Sequence, residues 1–309
     1  MKKTIGFFAK LFVMAALVLV FCFCIVMPQY TYNNQAAMLD KVRRLKSLDG
    51  PKITLVGNSN LAFGIHSQLL EQELGMPVAN MGLHGGVGNA FNEQAARINI
   101  DEGDLIILSP SSFSDNDHIK NPELAWITIE NHLFMWRFIR IKDVPDMAMA
   151  YPTYLRKCIG MWADGTGNLD TDPIYSRTRY NEYGDNIYPR PASEPDLDLS
   201  EVGLPSISEE YVSRVNALNE YVSSKGATLL IAAYPIAWSE QAPPKEAYAG
   251  FERELRERLD CEVISDYTQY CLEPKYFFNT YLHLTDEGAR LRTELLIQDI
   301  QNYLQSGTS

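Results

Sequence analysis

The feature that most constrains this chain is the run from Ile5 to Met27, IGFFAKLFVMAALVLVFCFCIVM, 23 residues with a single charge, Lys10, near its start. About 20 consecutive apolar residues suffice to cross the hydrocarbon core of a bilayer as a helix, and Lys10 is placed to snorkel toward the nearer interface. A cleavable signal would have a shorter apolar run followed by a small-x-small site; here the run ends Cys22-Phe23-Cys24-Ile25-Val26-Met27-Pro28. The expectation is an uncleaved signal-anchor over residues 1–30, a polar linker with a short helical stretch over 31–50, and a body from 51 to 309. Lys2, Lys3, Lys10 and the amino terminus favour a cytoplasmic N-terminus, against the partial opposition of Lys41, Arg43, Arg44 and Lys46. That makes the chain a single-pass protein of the cell membrane with its C-terminal body extracytoplasmic.

Charge divides the chain at the same place. Residues 1–50 hold seven Lys/Arg and two Asp/Glu, whereas 51–309 hold 20 and 37, for a formal net charge of −12 overall. An acidic body excludes general nucleic-acid binding. Cys158, Cys261 and Cys271 lie in the body; either Cys261 bridges Cys271 and leaves Cys158 free, or all three are buried thiols. No Cys/His spacing suggests a metal site, and no cofactor motif is present.

Beyond the linker, short apolar runs alternate with helical periods. Lys52–Val56, Pro77–Met81, Asp104–Leu108, Ala227–Ala233 and Glu262–Ser265 read as strands; Ser67–Leu74, Ala90–Ile98, Glu209–Ser224, Lys245–Leu259 and Asp286–Leu304 read as helices. This alternation predicts an α/β body with a parallel sheet covered on both faces, and such sheets place their sites at the carboxyl ends of strands. Residues 114–207 interrupt the pattern as an insertion: first helical and aromatic, then, from Asp164 to Pro205, rich in Gly, Pro, Asp and Asn, an ordered surface excursion or a partly mobile lid. Its aromatic stripe reads as packing.

Chemistry-bearing residues fall at the strand ends. Ser59, in Val56-Gly57-Asn58-Ser59, opens a strand-to-helix connection where a serine faces the crevice and nearby N–H groups can meet a developing oxyanion. His283, in Asn279-Thr280-Tyr281-Leu282-His283-Leu284-Thr285-Asp286-Glu287-Gly288, stands just ahead of a helix capped by Thr285 and can act on that serine as general base. His84, in a Gly-rich loop, can contact a ligand.

These residues resemble the SGNH/GDSL hydrolase superfamily, in particular its membrane-anchored bacterial branch linked to acylation of cell-surface polymers. Four blocks across residues 53–304 carry the resemblance. Ile53–Ser59 is similar to the strand-plus-Gly-Asp-Ser block and gives Ser59 the nucleophile position. Asn80-Met81-Gly82-Leu83-His84-Gly85-Gly86 is similar to the block whose glycine supplies an oxyanion N–H, here Gly85, with Gly82 as the alternative. Leu105–Ser112 lies where the family has Gly-x-Asn-Asp; no Asn matches and Ser112 falls nearest. His283-Leu-Thr-Asp-Glu-Gly, followed by Arg290-Leu291-Arg292, looks like the closing His-Leu-x-x-x-Gly block. The resemblance implies a three-layer α/β/α flavodoxin-like fold preceded by one transmembrane helix. It also implies Asn58, Asn60 and His84 as substrate-contacting residues.

The chain departs from the pattern at the triad acid. Three residues before the histidine stands Thr280, four before stands Asn279. An amide orients an imidazole but does not stabilise imidazolium as a carboxylate does, so Asn279, Asp266 and Asp286 compete for the role. Two functions follow. One is a serine esterase or O-acyltransferase acting on acyl, chiefly acetyl, groups of a cell-envelope glycan or teichoic-acid-like polymer, alone or beside a membrane-bound acyltransferase. The other is an impaired subunit of the same fold that binds glycan or assists an export or acylation complex.

Overall fold

In the computed structural model, residues 2–113, 118–130, 132–195 and 197–306 are described. The first four residues of the insertion, 114–117, lie outside them. Helix α1 (Lys2–Phe21) continues as a single π-helical turn, Cys22–Val26. Thr4–Val26 is long and apolar enough to cross a membrane, and its apolar side chains from Ile5 to Val20 are bare.

The segment expected to be a linker is instead part of the body. Helix α2 (Met38–Ser47) and the 3₁₀ turn before it bury Gln35, Ala37, Met38, Lys41, Val42 and Leu45. The apolar positions 38, 42 and 45 recur at helical spacing, which gives α2 a core face and explains why it cannot stay in solvent. Burial pushes the Lys41 ammonium down to about 7, and it donates to the carbonyls of Asn80 and Gly184.

The core is a five-stranded sheet, β1 (Ile53–Gly57), β2 (Val78–Asn80), β3 (Leu105–Ser109), β4 (Thr228–Ile231) and β5 (Glu262–Val263), all pairs parallel, in spatial order β2-β1-β3-β4-β5. This is the order of doubly wound flavodoxin-like sheets. Side chains alternate across it. Val56, Ile106, Leu108, Leu229 and Ile231 face a cluster that includes α2, α8 (Glu209–Ser223) and α9 (Lys245–Arg258). Ile53, Leu55, Leu105, Ile107 and Leu230 face α4 (Ser67–Leu74) and α10 (Asp286–Ser306). A separate parallel pair, Ile236–Ala237 with Cys271–Leu272, extends the edge near the carboxyl ends.

The short helix α3 (Ser59–Ala62) follows β1, and α5 (Asn89–Asn92) continued by a 3₁₀ stretch, Glu93–Arg97, stands in place of the single helix expected at Ala90–Ile98. The insertion forms α6 (Pro122–Ile129) and α7 (Val144–Asp164). Its later part is ordered rather than a lid over residues 174–190: the Asp185 carboxylate accepts from Ser67 N–H and Oγ and from Asn80 Nδ2. All five cysteines are unbridged, with Cys158, Cys261 and Cys271 buried, so the disulfide alternative falls away.

Candidate active site

At the carboxyl end of β1 the chain turns sharply into α3. Gly57 permits the turn: a Cβ there would stand 2.7 Å from the Ser109 carbonyl oxygen, closer than real contacts allow. Asn58 caps α3, its Oδ1 accepting from Asn60 N–H, while its Nδ2 donates to Ser111 Oγ at 2.5 Å. Ser59, the first helical residue, is half-buried, and its Oγ has no hydrogen-bond partner among the described residues.

Beneath the turn lies a fully buried guanidinium. Arg292, from α10, donates to the Asn60 carbonyl (2.6 Å), Asn60 Oδ1 (2.9 Å), Ser109 Oγ (2.9 Å) and the Ala233 carbonyl (3.4 Å). One side chain thus ties together the exits of β1, β3 and β4. Asn60 donates in turn to Asn58 Oδ1 and the Ser109 carbonyl and is wholly buried. This corrects its expected role: Asn60 is part of the foundation, turned away from any substrate, because its amide is needed to satisfy Arg292.

The second block resolves its own alternative. Gly82 N–H is engaged by Asn80 Oδ1, and a Cβ on Gly82 would meet the Asn58 carbonyl at 2.6 Å, so Gly82 is a packing glycine. Gly85 sits beside the Asn58 side chain, its Cβ position 3.4 Å from Asn58 Cβ, and its N–H has no acceptor among the described residues. His84 is exposed and its Nδ1 accepts from Gly86 N–H, holding the loop. In the third block Ser111, rather than Ser112, reaches the turn; Ser112 presents its carbonyl to Asn89 Nδ2 at 2.6 Å. A cavity of about 220 Å³ opens beside Ser111 and Ser112, with Glu201, Tyr234 and Tyr281 also on its walls.

His283 arrives from the loop before α10. Thr285 caps that helix as expected, its Oγ1 accepting from Gly288 N–H. The imidazole stacks on Phe63 with centroids 4.2 Å apart and planes 14° from parallel. Phe63 ends the same short helix that Ser59 begins, and its N–H donates to the Ser59 carbonyl at 2.9 Å, so the ring lies one turn from the serine. No hydrogen bond joins Ser59 Oγ to His283.

The ring nitrogen Nδ1 of His283 is met by an amide. His283 Nδ1 faces Asn279 Oδ1 at 3.0 Å, and Asn279 Nδ2 donates to the Tyr175 hydroxyl at 2.9 Å. A carbonyl oxygen only accepts, so this arrangement puts the ring proton on Nδ1 and leaves a lone pair on Nε2, which has no partner among the described residues. The two competing acids are elsewhere. Asp266 caps a 3₁₀ turn by accepting from Thr268 and Gln269. Asp286 accepts from Arg190 N–H at 2.9 Å and lies 3.7 Å from its guanidinium.

Arg190 also decides the electrostatics. Its guanidinium is buried with Cζ 5.3 Å from the Phe63 centroid. Burial first, then the Arg190 charge and then His84, push the His283 imidazole down to about 3. The histidine is therefore neutral throughout the physiological range.

Tyr175, Ser111, Arg190 and Arg292 were not singled out as site residues. Tyr175 and Arg190 come from the insertion, more than 90 residues from the side chains they meet, and no local pattern marks them. Arg292 was visible only as part of the closing block. No protein-family profile, curated protein or solved structure matches the chain. What fold and site define is a mixed α/β protein with a mostly parallel five-stranded sheet and one N-terminal helix of membrane-spanning length. Its polar cluster sits at the carboxyl ends of the strands.

Proposed function

We propose that the chain is a membrane-anchored, extracytoplasmic serine esterase or O-acyltransferase of the SGNH type, acting on acyl, chiefly acetyl, groups of a cell-envelope polysaccharide. The observation that carries the reading is the pairing of His283 Nδ1 with Asn279 Oδ1, which leaves Nε2 unprotonated on a ring stacked against Phe63, one turn along the helix that Ser59 opens. In the reaction, Ser59 Oγ bonds to the acyl carbon and its proton passes to His283 Nε2. The N–H groups of Ser59 and Gly85 hold the oxyanion, and the departing alkoxide takes the proton back. Water or a sugar hydroxyl then accepts the acyl group, in the second case with a membrane-bound acyltransferase as the source of acyl units. Asn279 orients the imidazole as the amide does in Cys-His-Asn proteases, and Tyr175 fixes the amide's rotation.

A second reading, an impaired subunit that binds glycan or assists an acylation complex, is favoured by the Arg190 charge beside His283, because it opposes formation of the imidazolium. A fluorophosphonate probe separates the two. Labelling of the detergent-purified full chain that disappears in Ser59→Ala supports the enzyme; an unlabelled wild type that still binds acetylated glycan supports the subunit.

A further inference from the structure

Helix α7 has one apolar stripe more than its packing requires. Met147, Tyr151, Tyr154, Cys158 and Met161, spaced four, three, four and three, turn toward the body. A second stripe, Val144, Ala148, Leu155, Ile159 and Trp162, spaced four, seven, four and three, runs beside it, and all but the half-buried Leu155 are exposed. A helix that packs on one protein face needs a single stripe. Just before the helix, Ile141 is 92% exposed.

The position of α7 relative to α1 says what covers the second stripe. The helix of membrane length stands clear of the body from Thr4 to Val20, about 26 Å at 1.5 Å per residue, short of the hydrocarbon core of about 30 Å. A bilayer crossed by this helix therefore reaches beyond Val20 into Phe21–Val26. That stretch is packed against α7: Phe21 meets Trp162 edge-on at 5.7 Å, and Phe23 stacks on Tyr151 at 5.4 Å with planes 11° apart. So α7 lies at the level where hydrocarbon gives way to headgroups, the depth favoured by tryptophan. Its charge fits the same place. Residues 133–164 carry five Lys/Arg against three Asp/Glu in a chain of net charge −12, the balance expected of a segment lying on anionic lipid.

We propose that α7 is a second membrane contact, lying in the lipid interface with the Val144–Trp162 stripe inserted among the acyl chains. The inference rests on α1 spanning the bilayer. It turns a single-pass anchor into a two-point attachment.

The test uses the full chain in nanodiscs of phosphatidylcholine and phosphatidylglycerol. A fluorescent amino acid is placed singly at Val144, at Ile159, at the exposed Thr153 on the polar side of α7, and at Val13 in α1. Emission is then quenched by shallow nitroxide lipids or by aqueous iodide. The expected result is lipid quenching at Val144 and Ile159 several-fold above that at Thr153, with the iodide pattern reversed. Iodide access at Val144 and Ile159 equal to that at Thr153, with Val13 still shielded, overturns the contact and leaves the anchor standing. Shielding of both positions from lipid and iodide alike also overturns it, since a second copy or another protein then covers the stripe. Iodide access at Val13 sinks the anchor itself.

Discussion

Ser59 stands on a turn pinned by a buried guanidinium, whereas His283 stands on a loop held by an aromatic ring and an amide. On the serine side Arg292 closes four hydrogen bonds across the ends of three strands, and both oxygens of Asn60 take their charged donor from it. On the histidine side the contacts are the Phe63 ring, the Asn279 amide and, from the insertion, the Tyr175 hydroxyl that holds that amide, with the Arg190 charge close by. The contrast teaches where such a fold tolerates change. A residue buried beneath a strand end is fixed by the cost of unsatisfied polar groups; a residue that tunes a side chain from a loop can be exchanged, and here that residue is the Asn279 amide.

The largest effect is expected at the serine itself: Ser59→Ala removes fluorophosphonate labelling altogether while circular dichroism and melting stay unchanged, and persistent labelling would assign the nucleophile elsewhere. Next, Arg292→Leu strands the carbonyl and Oδ1 of Asn60, takes one partner each from Ser109 Oγ and the Ala233 carbonyl, and should destabilise the body by about 3 kcal/mol or more, read by chemical denaturation. A neutral outcome would break the claim that the serine side is the pinned one. Asn279→Asp supplies the missing charge, raises the histidine's proton affinity and stabilises the imidazolium. Acyl-enzyme formation in single turnover should rise by roughly ten-fold or more, on a scale where the reverse exchange costs about 10⁴. Asp266→Asn and Asp286→Asn should leave the rate within two-fold, about 0.4 kcal/mol.

The pH profile sharpens the same contrast. With His283 held down to about 3, wild-type labelling should be flat between about pH 5 and 8, where an unperturbed imidazole of pKa about 6.5 would titrate, and Asn279→Asp should introduce a falling limb on the acid side. Stability follows from the same shift. The unfolded chain binds the histidine proton below about 6.5 and the folded chain only near 3, so this contribution is intact above about 6.5 and is lost as pH falls toward 3. The smallest effect belongs to Tyr175→Phe, which removes one hydrogen bond of about 1 kcal/mol and should slow acylation about five-fold; no change would show that Asn279 holds its rotamer unaided.

How much of this was legible beforehand varies with the range of the interaction. The five strands, and the helices from Ser67, Glu209, Lys245 and Asp286, are local patterns of apolar spacing, and their alternation gives a parallel sheet but not its strand order. Ser59, Gly85, His283 and Asn279 were readable because each sits in a short motif at a strand or helix end. Asn60 misled because a polar residue beside a nucleophile looks like a ligand contact until its partner, 232 residues away, is seen. The expected linker misled for a related reason: Asn34, Gln35 and Lys41 are polar in sequence, yet each is buried against segments far along the chain. A cation such as Arg190 beside the histidine leaves no periodic trace at all.

The tie between the middle of the insertion and the segment after α1 has a mechanical consequence. Gln29 accepts from Asn168 N–H at 2.9 Å, Asn34 N–H donates to the Tyr175 carbonyl at 3.1 Å, and Arg177 clamps Asp40 through two bonds of 2.5 and 2.7 Å. An anchored catalyst on a slack leash sweeps out a hemisphere of solvent, and its reach grows with the leash. A body bolted to its stalk in this way has no swivel. Anchored as proposed, its crevice would travel with the membrane at one altitude, free to drift sideways but not to rise, so a polymer strand would have to pass through that thin layer to be met. Lengthening the chain between Met27 and Asn33 would add no reach unless the contacts of Phe21 and Phe23 with α7 were released as well.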